Sequence, residues 1–183
     1  METKQLQIFK NHQEDNSSKG YLHAVVMPDV LDACCGSRMF WFNKNDTRAI
    51  YADKRIETWI TDNRKGRSPT VVKPGILFDF QYIPFKNNVF NLVVFDPPHL
   101  KNLGKTSRIA RKYGELTGDW KTMIRNGFSE CFRVLKPGGT LIFKWNEYQI
   151  LLSEILALTE ERPLFGHKTG RQSKTHWMTF MKA

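Results

Sequence analysis

Asn91-Leu92-Val93-Val94-Phe95-Asp96-Pro97-Pro98-His99 is an apolar run that stops at an acid, two prolines and a flat ring. Such a run reads as a buried parallel strand delivering a carboxylate to the carboxyl edge of a sheet, where open α/β folds keep their ligands. Prolines lack an amide hydrogen and fix φ, so the strand must end there. The strand thus gives way to a rigid hook carrying one carboxylate and a row of backbone carbonyls. An acid at the end of a buried strand is costly unless paired or used, which makes Asp96 the leading candidate for chemistry.

Working outward from the hook, three earlier runs repeat its pattern of a strand capped by an acid. Asp29 to Ser37 is a short apolar strand running through Asp32 into a tight turn, and Met39-Phe40-Trp41-Phe42 reads as the opening of the next helix. Ala49 to Asp53 is a second strand and Ile76 to Asp79 a third, with Val89 to Phe95 the fourth. In a doubly wound sheet such caps line one edge, across whose switch point a nucleoside cofactor lies. Asp53 follows Asp32 by 21 residues, near the roughly 20 at which an acid meets ribose hydroxyls in Rossmann-like folds. A dinucleotide is the weaker reading, because Cys34, Gly36 and Arg38 stand where Gly-x-Gly-x-x-Gly would be.

Beyond the hook, residues 100–118 form a basic, glycine-containing segment that reads as a mobile loop over the site. Trp120 to Leu135 has apolar residues at helical spacing and is closed by Lys136-Pro137-Gly138-Gly139. Thr140 to Trp145 is a fifth strand, Glu147 to Thr159 a second amphipathic helix, and Leu164 to His167 and His176 to Met181 two short strands. Residues 1–23 are a polar arm, and the α/β alternation over 24–183 describes a single domain.

Composition excludes several classes. With 183 residues, 13 Phe and 5 Trp, the chain buries one core of ordinary size and is not disordered. No stretch approaches the roughly 20 apolar residues of a membrane span, and no secretory h-region is visible, so a cytoplasmic protein is expected. Cys34, Cys35 and Cys131 lack metal or redox spacing and read as reduced thiols. The net charge of +10 is clustered: Lys101, Lys105, Arg108, Arg111 and Lys112 follow the hook, Lys54, Arg55, Arg64, Lys65, Arg67 and Lys73 precede it, and Arg162, His167, Lys168, Arg171 and Lys174 lie near the end. Three basic clusters around one active edge point to a polyanionic partner, bound through counterion release.

The hook resembles motif IV of the S-adenosylmethionine-dependent amino-methyltransferases, whose pattern is Asp/Asn/Ser-Pro-Pro-aromatic. Some 40 residues downstream, Glu130-Cys131-Phe132-Arg133-Val134-Leu135-Lys136-Pro137-Gly138-Gly139-Thr140-Leu141-Ile142-Phe143-Lys144 is similar to the post-helix turn and fifth strand of class I methyltransferases. Leu31-Asp32-Ala33-Cys34-Cys35-Gly36 resembles motif I, Asp53 the motif II acid and Asp79-Phe80 motif III, so that residues 29–145 are covered in order. Cys34 and Arg38 replace two motif I glycines, and His99 stands where Tyr, Trp or Phe is usual.

This resemblance implies a Rossmann-like, mostly parallel sheet with a C-terminal antiparallel strand. It also implies S-adenosylmethionine as cofactor, held by Asp32, Cys34, Gly36, Asp53, Asp79 and Phe80, with Asp96, Pro97, Pro98 and His99 catalytic and no metal. Nucleic acid is the implied partner, DNA favoured over RNA, engaged by Lys101, Lys105, Arg108, Arg111 and Lys112. The implied reaction is methylation of a base amino group, adenine N6 above others. An RNA base methyltransferase and an inactive binding module or partner subunit of the same fold remain open, as do monomer and homodimer.

Overall fold

A computed structural model describes residues 27–59, 69–104, 107–170 and 172–183. The polar arm 1–23, Arg64, Lys65, Arg67, Lys105 and Arg171 lie outside the described residues. The elements are β1 (Val30–Asp32), β2 (Ala49–Asp53), β3 (Glu57–Trp59), β4 (Thr70–Val72), β5 (Ile76–Leu77), β6 (Phe90–Phe95), α1 (Arg108–Tyr113), α2 (Trp120–Val134), β7 (Leu135–Asn146), α3 (Leu152–Leu156), β8 (Phe165–Lys168) and β9 (Thr175–Met181). No helix among the described residues is long and apolar enough to cross a membrane.

Seven strands form one sheet in the order β5-β2-β1-β6-β7-β9-β8, and β3 with β4 makes a separate hairpin. Pairing is parallel from β5 to β7 and antiparallel at β7–β9 and β9–β8. The order turns back at β1, so the crevice between the carboxyl ends of β1 and β6 is the switch point. Asp32 ends β1 and Asp96 follows β6, so both acids arrive at that crevice.

The core lies mainly on the α2 face of the sheet. Phe95, Phe128, Phe143 and Phe180 interlock there, with ring centroids 4.7 Å apart for Phe128 and Phe143. Met123, Ile124, Phe128, Cys131 and Phe132 are buried along α2, as their helical spacing requires. Asp119 caps the helix by accepting a hydrogen bond from the Thr122 amide at 3.2 Å. Gly127 faces the sheet where a Cβ would stand 2.5 Å from Phe95 Cζ, which is how α2 comes so close.

Several expectations are corrected. No helix opens at Met39–Phe42: residues 36–48 are turns and bends. Asn43 and Asp46 accept backbone hydrogen bonds from Asn45 and Arg48 two residues on, a turn chemistry that competes with helix. The aromatic rings of this loop cover the sheet face instead, Phe40 edge-on to Trp177 and Trp41 edge-on to Tyr51. The helix expected over 147–159 shrinks to α3, since the Ile150 carbonyl is taken by the buried Trp145 Nε1–H at 3.0 Å before the helix begins. Lys136–Gly139 closes α2 and also forms a bulge, because β7 pairs with β6 on both sides of it, Phe90 with Leu135 and Leu92 with Thr140.

The segment 100–118 is not a featureless loop. Ser107 caps α1 by accepting from the Ala110 amide, and Gly114, at φ +80°, ends it. The Leu116 amide donates to the Leu100 carbonyl and the Lys101 amide to Gln149 Oε1, tying both ends down. Leu116 is buried, which supplies the apolar anchor that the charge of the segment conceals.

Candidate active site

The hook sits at the carboxyl end of β6 with its carboxylate beside the amine of Lys144. Register explains the pairing: Phe95 lies opposite Phe143, so the next rung sets Asp96 against Lys144 on the other face of the sheet. Lys144 Nζ donates to Asp96 Oδ2 at 2.6 Å. Burial pushes the Asp96 pKa up and Lys144 pulls it back down, with a net upward shift. His99 packs between Tyr113 and Trp145, each ring centroid 6.1 Å away. Burial holds its imidazole below the usual histidine range, against the opposing Asp96 charge, so it is neutral at pH 7.

Two cavities meet at this pair. One, of about 150 Å³, lies toward β1 and is lined by Cys34, Cys35, Gly36, Ser37, Met39, Phe40 and Arg55. The other, of about 530 Å³, lies toward β7 and β9 and is lined by Leu103, Ile109, Asn146, Tyr148, Gln149 and Thr175. Asp96, His99, Tyr113 and Lys144 line both. A smaller pocket of about 70 Å³ continues the first between Asp53, Phe80, Asp96, Pro98 and Gly114.

The loop after β1 is stitched to both neighbouring strands, the Ala33 amide donating to the Val94 carbonyl and the Cys35 amide to the Ala52 carbonyl. Gly36, at φ +49°, donates its amide to Asp53 Oδ2 at 3.0 Å, and a Cβ there would meet nothing within 4 Å. Asp53 is buried and also accepts from the Arg55 amide and Nε. Asp32 is wholly buried; Trp41 Nε1 donates to Oδ2 at 2.7 Å, while Oδ1 has no partner among the described residues. Burial pushes the Asp32 pKa up to about 7. Burial likewise raises the Cys34 thiol, and that of Cys35 to about 12, so neither is a thiolate at neutral pH.

No protein-family profile matches the sequence, and no curated protein matches it either. Solved structures do match. The crystal structure of the PH0226 protein from Pyrococcus horikoshii superimposes with a TM-score of 0.54 at 15% identity, over 84% of this chain and 81% of the other. A TehB-like SAM-dependent methyltransferase from Corynebacterium glutamicum does so with a TM-score of 0.52 at 12% identity, over 87% and 83%. The fold is that of the class I methyltransferases.

In this class I methyltransferase fold the positions singled out from sequence do not all converge. Cys34, Gly36, Asp53, Phe80 and the hook border the connected cavities. Phe80 also turns its ring into the core against Phe95, with centroids 5.1 Å apart. Asp79 lines neither cavity: it accepts from the Gln81 amide and lies 3.5 Å from Lys54. Asp32 sits beneath the loop, behind Trp41. Of the basic segment, Lys112 lines the first cavity, Arg108 and Arg111 are exposed, and the Lys101 amine lies 5.8 Å from the Trp120 ring.

Three features escaped the sequence reading. Lys144 was detectable as a lone charge between Phe143 and Trp145 in an apolar strand. Tyr113 borders all three pockets, although nothing in its local sequence distinguishes it. Arg38, in a glycine slot of the motif, keeps the left-handed backbone at φ +54°. Its guanidinium stacks 3.8 Å over Tyr51 and donates to the carbonyls of Lys44 and Lys73, forming the floor of an open groove of about 700 Å³. Lys44, Lys73 and Lys112 line that groove, and no carboxylate does among the described residues.

Proposed function

We propose that the chain is an S-adenosylmethionine-dependent methyltransferase that methylates a base amino group of nucleic acid, adenine N6 in DNA first among them. The observation that carries this reading is the Asp96-Pro97-Pro98-His99 hook at the switch point, open on both sides to cavities. We assign catalysis to the single unit spanning 24–183.

The first cavity, the pocket that continues it and the loop after β1 suit the cofactor. S-adenosylmethionine supplies, when bound, an electrophilic methyl group on a sulfonium. Asp32, wholly buried behind Trp41, serves the methionine end through the loop it anchors, Trp41 Nε1 donating to its Oδ2. Asp53 borders the pocket that continues the first cavity and suits the ribose, whose hydroxyls would take the place of the Arg55 guanidinium donors on its carboxylate. Gly36 and Cys34 would face the methionine chain, with Phe80 toward the adenine end and Asp79 outside the cavities beyond it.

The hook then acts on the acceptor. An exocyclic amine is a poor nucleophile because its lone pair is delocalised into the ring. Asp96 takes one amino hydrogen on the oxygen that Lys144 leaves, and the Pro97 carbonyl takes the other. The nitrogen pyramidalises and its lone pair turns toward the first cavity, so that positioning and fixed dipoles lower the barrier. Pro97 and Pro98 hold that geometry rigid, and neutral His99 offers a flat face to a base taken out of its stack. The lysine-lined groove beside the cavity and the exposed Arg108 and Arg111 suit the phosphate backbone, with Lys101 and Lys105 flanking them in sequence.

The test is incubation with methyl-labelled S-adenosylmethionine and unmethylated double-stranded DNA, single-stranded DNA or tRNA, and then digestion to nucleosides. Label in N6-methyladenine that disappears in Asp96→Ala is expected. Undiminished transfer by Asp96→Ala overturns the assignment of Asp96, and label in tRNA alone replaces DNA by RNA. Absence of transfer despite cofactor binding favours a partner subunit of the same fold.

A further inference from the structure

Asp96 differs from the other acids that follow strands in how its carboxylate is held. Asp53 and Asp79, after β2 and β5, each accept a hydrogen bond from the backbone amide two residues on, at Arg55 and Gln81, and Asp32, ending β1, accepts from Trp41 Nε1 in its own following loop. Two residues after Asp96 stands Pro98, which has no amide hydrogen, and Pro97 has none either. The rigidity that makes the hook useful therefore removes the local donors that would fix its carboxylate.

We infer that Lys144 is the positioning residue that replaces them, anchoring one oxygen of Asp96 so that the other is presented, ionised, to the acceptor. This rests on the reading of Asp96 as the carboxylate that meets the acceptor amine. The placement is built into the sheet: Asp96, one residue past the Phe95–Phe143 rung, continues the row in which Lys144 on β7 lies opposite Trp177 on β9. Trp177 and Phe40, edge-to-face at 5.4 Å, make a slot for the amine, with Nζ 5.5 and 5.7 Å from their ring centroids. The rings limit hydration of the ammonium and keep it from swinging away, while its charge is favoured over their faces. Asp96, at 2.6 Å, is its counter-ion.

Charged and titratable groups from every side bear on Asp96. Asp32 and Cys34 approach from β1 and its loop, Arg55 from beyond β2, Lys112 and Tyr113 from α1, and His99 from the hook itself. His99 is neutral, and Asp32 repels a second negative charge when ionised. Burial pushes Asp96 toward its protonated form, and the Lys144 charge is the largest influence opposing it. Without Lys144 the carboxyl protonates and offers an O–H where the amine needs an acceptor.

The test uses the whole chain with ¹³C-carboxyl-labelled aspartate, the Asp96 resonance being the one absent from Asp96→Asn. Its titration midpoint is expected to rise in Lys144→Met and to return toward the wild-type value in Lys144→Arg. The acid limb of the kcat profile should move with it, and kcat at pH 7 should fall about a hundredfold in the Met variant, a loss typical of removing a proton-handling group. An unchanged Asp96 midpoint in a folded Lys144→Met protein overturns the inference. Should that variant not fold, the wild type decides: the Lys144 side-chain ¹⁵N shift must show an inflection at the Asp96 midpoint, and its absence refutes the pairing. Because the titration needs no substrate, it stands apart from any failure of the methyl-transfer assay.

Discussion

Replacing Asp32 by asparagine should make the protein more stable at pH 8 than at pH 5, relative to the wild type. The Asp32 carboxyl is wholly buried, and burial moves its pKa from 3.8 to about 7. The folded state therefore binds this proton more tightly than the unfolded chain does. Its contribution is fully present below pH 3.8 and is lost as pH rises toward 7. Between pH 5 and pH 8 the linkage relation assigns this one group a loss of about 3 kcal/mol. Asparagine carries no charge and still offers Trp41 an oxygen, so the loss disappears; all other titrating groups are common to both proteins and cancel. For a chain of this size the shift corresponds to roughly 6 to 12 °C in Tm. Urea unfolding of both proteins at the two pH values measures it. A stability gap that stays constant within about 0.5 kcal/mol, the ordinary scatter of a surface substitution, would refute the reasoning.

Gly127→Ala should cost about 1–3 kcal/mol in the same assay, because the new methyl would lie 2.5 Å from Phe95 Cζ and 2.9 Å from Phe80. At Gly114→Ala, a Cβ forced into φ +80° meets Pro98 Cγ at 2.8 Å. The hook must shift, and kcat should fall by up to about a hundredfold, the cost of a displacement near 1 Å, with the fold retained by circular dichroism. Lys44→Gln combined with Lys73→Gln should lower the salt slope of oligonucleotide binding by about 2, measured by fluorescence anisotropy with DNA and RNA, and leave S-adenosylhomocysteine affinity unchanged.

Strands and long helices write themselves locally, and those parts were legible in the sequence. The run ending at Asp96, the apolar strands ending near Asp32 and Asp53, and the helical spacing of Met123, Ile124, Phe128 and Cys131 all appear where expected. Less legible was anything held by contacts distant in sequence. The Phe40–Trp41 loop carries helix-compatible residues, yet it is shaped by Trp177, Tyr51 and the need of Asp32 for a donor. The charge of segment 100–118 hid the burial of Leu116. Arg133 reads as a surface cation of α2, but it pairs with Glu130 and donates to the carbonyls of Ile83 and Phe85, and the Ile83 amide donates to Glu130, locking the approach to β6 against the helix. Lys144 gained its meaning only from the register of β6 against β7.

If the hook and the loop after β1 form one methyl-transfer centre, methyl-labelled S-adenosylmethionine cross-linked by ultraviolet light should mark both. Proteolysis and mass spectrometry are expected to place the label in peptides containing residues 33–41 or 96–113, suppressed by excess S-adenosylhomocysteine. Competitor-sensitive label confined to β8 and β9, or no competitor-sensitive label at all, would contradict it.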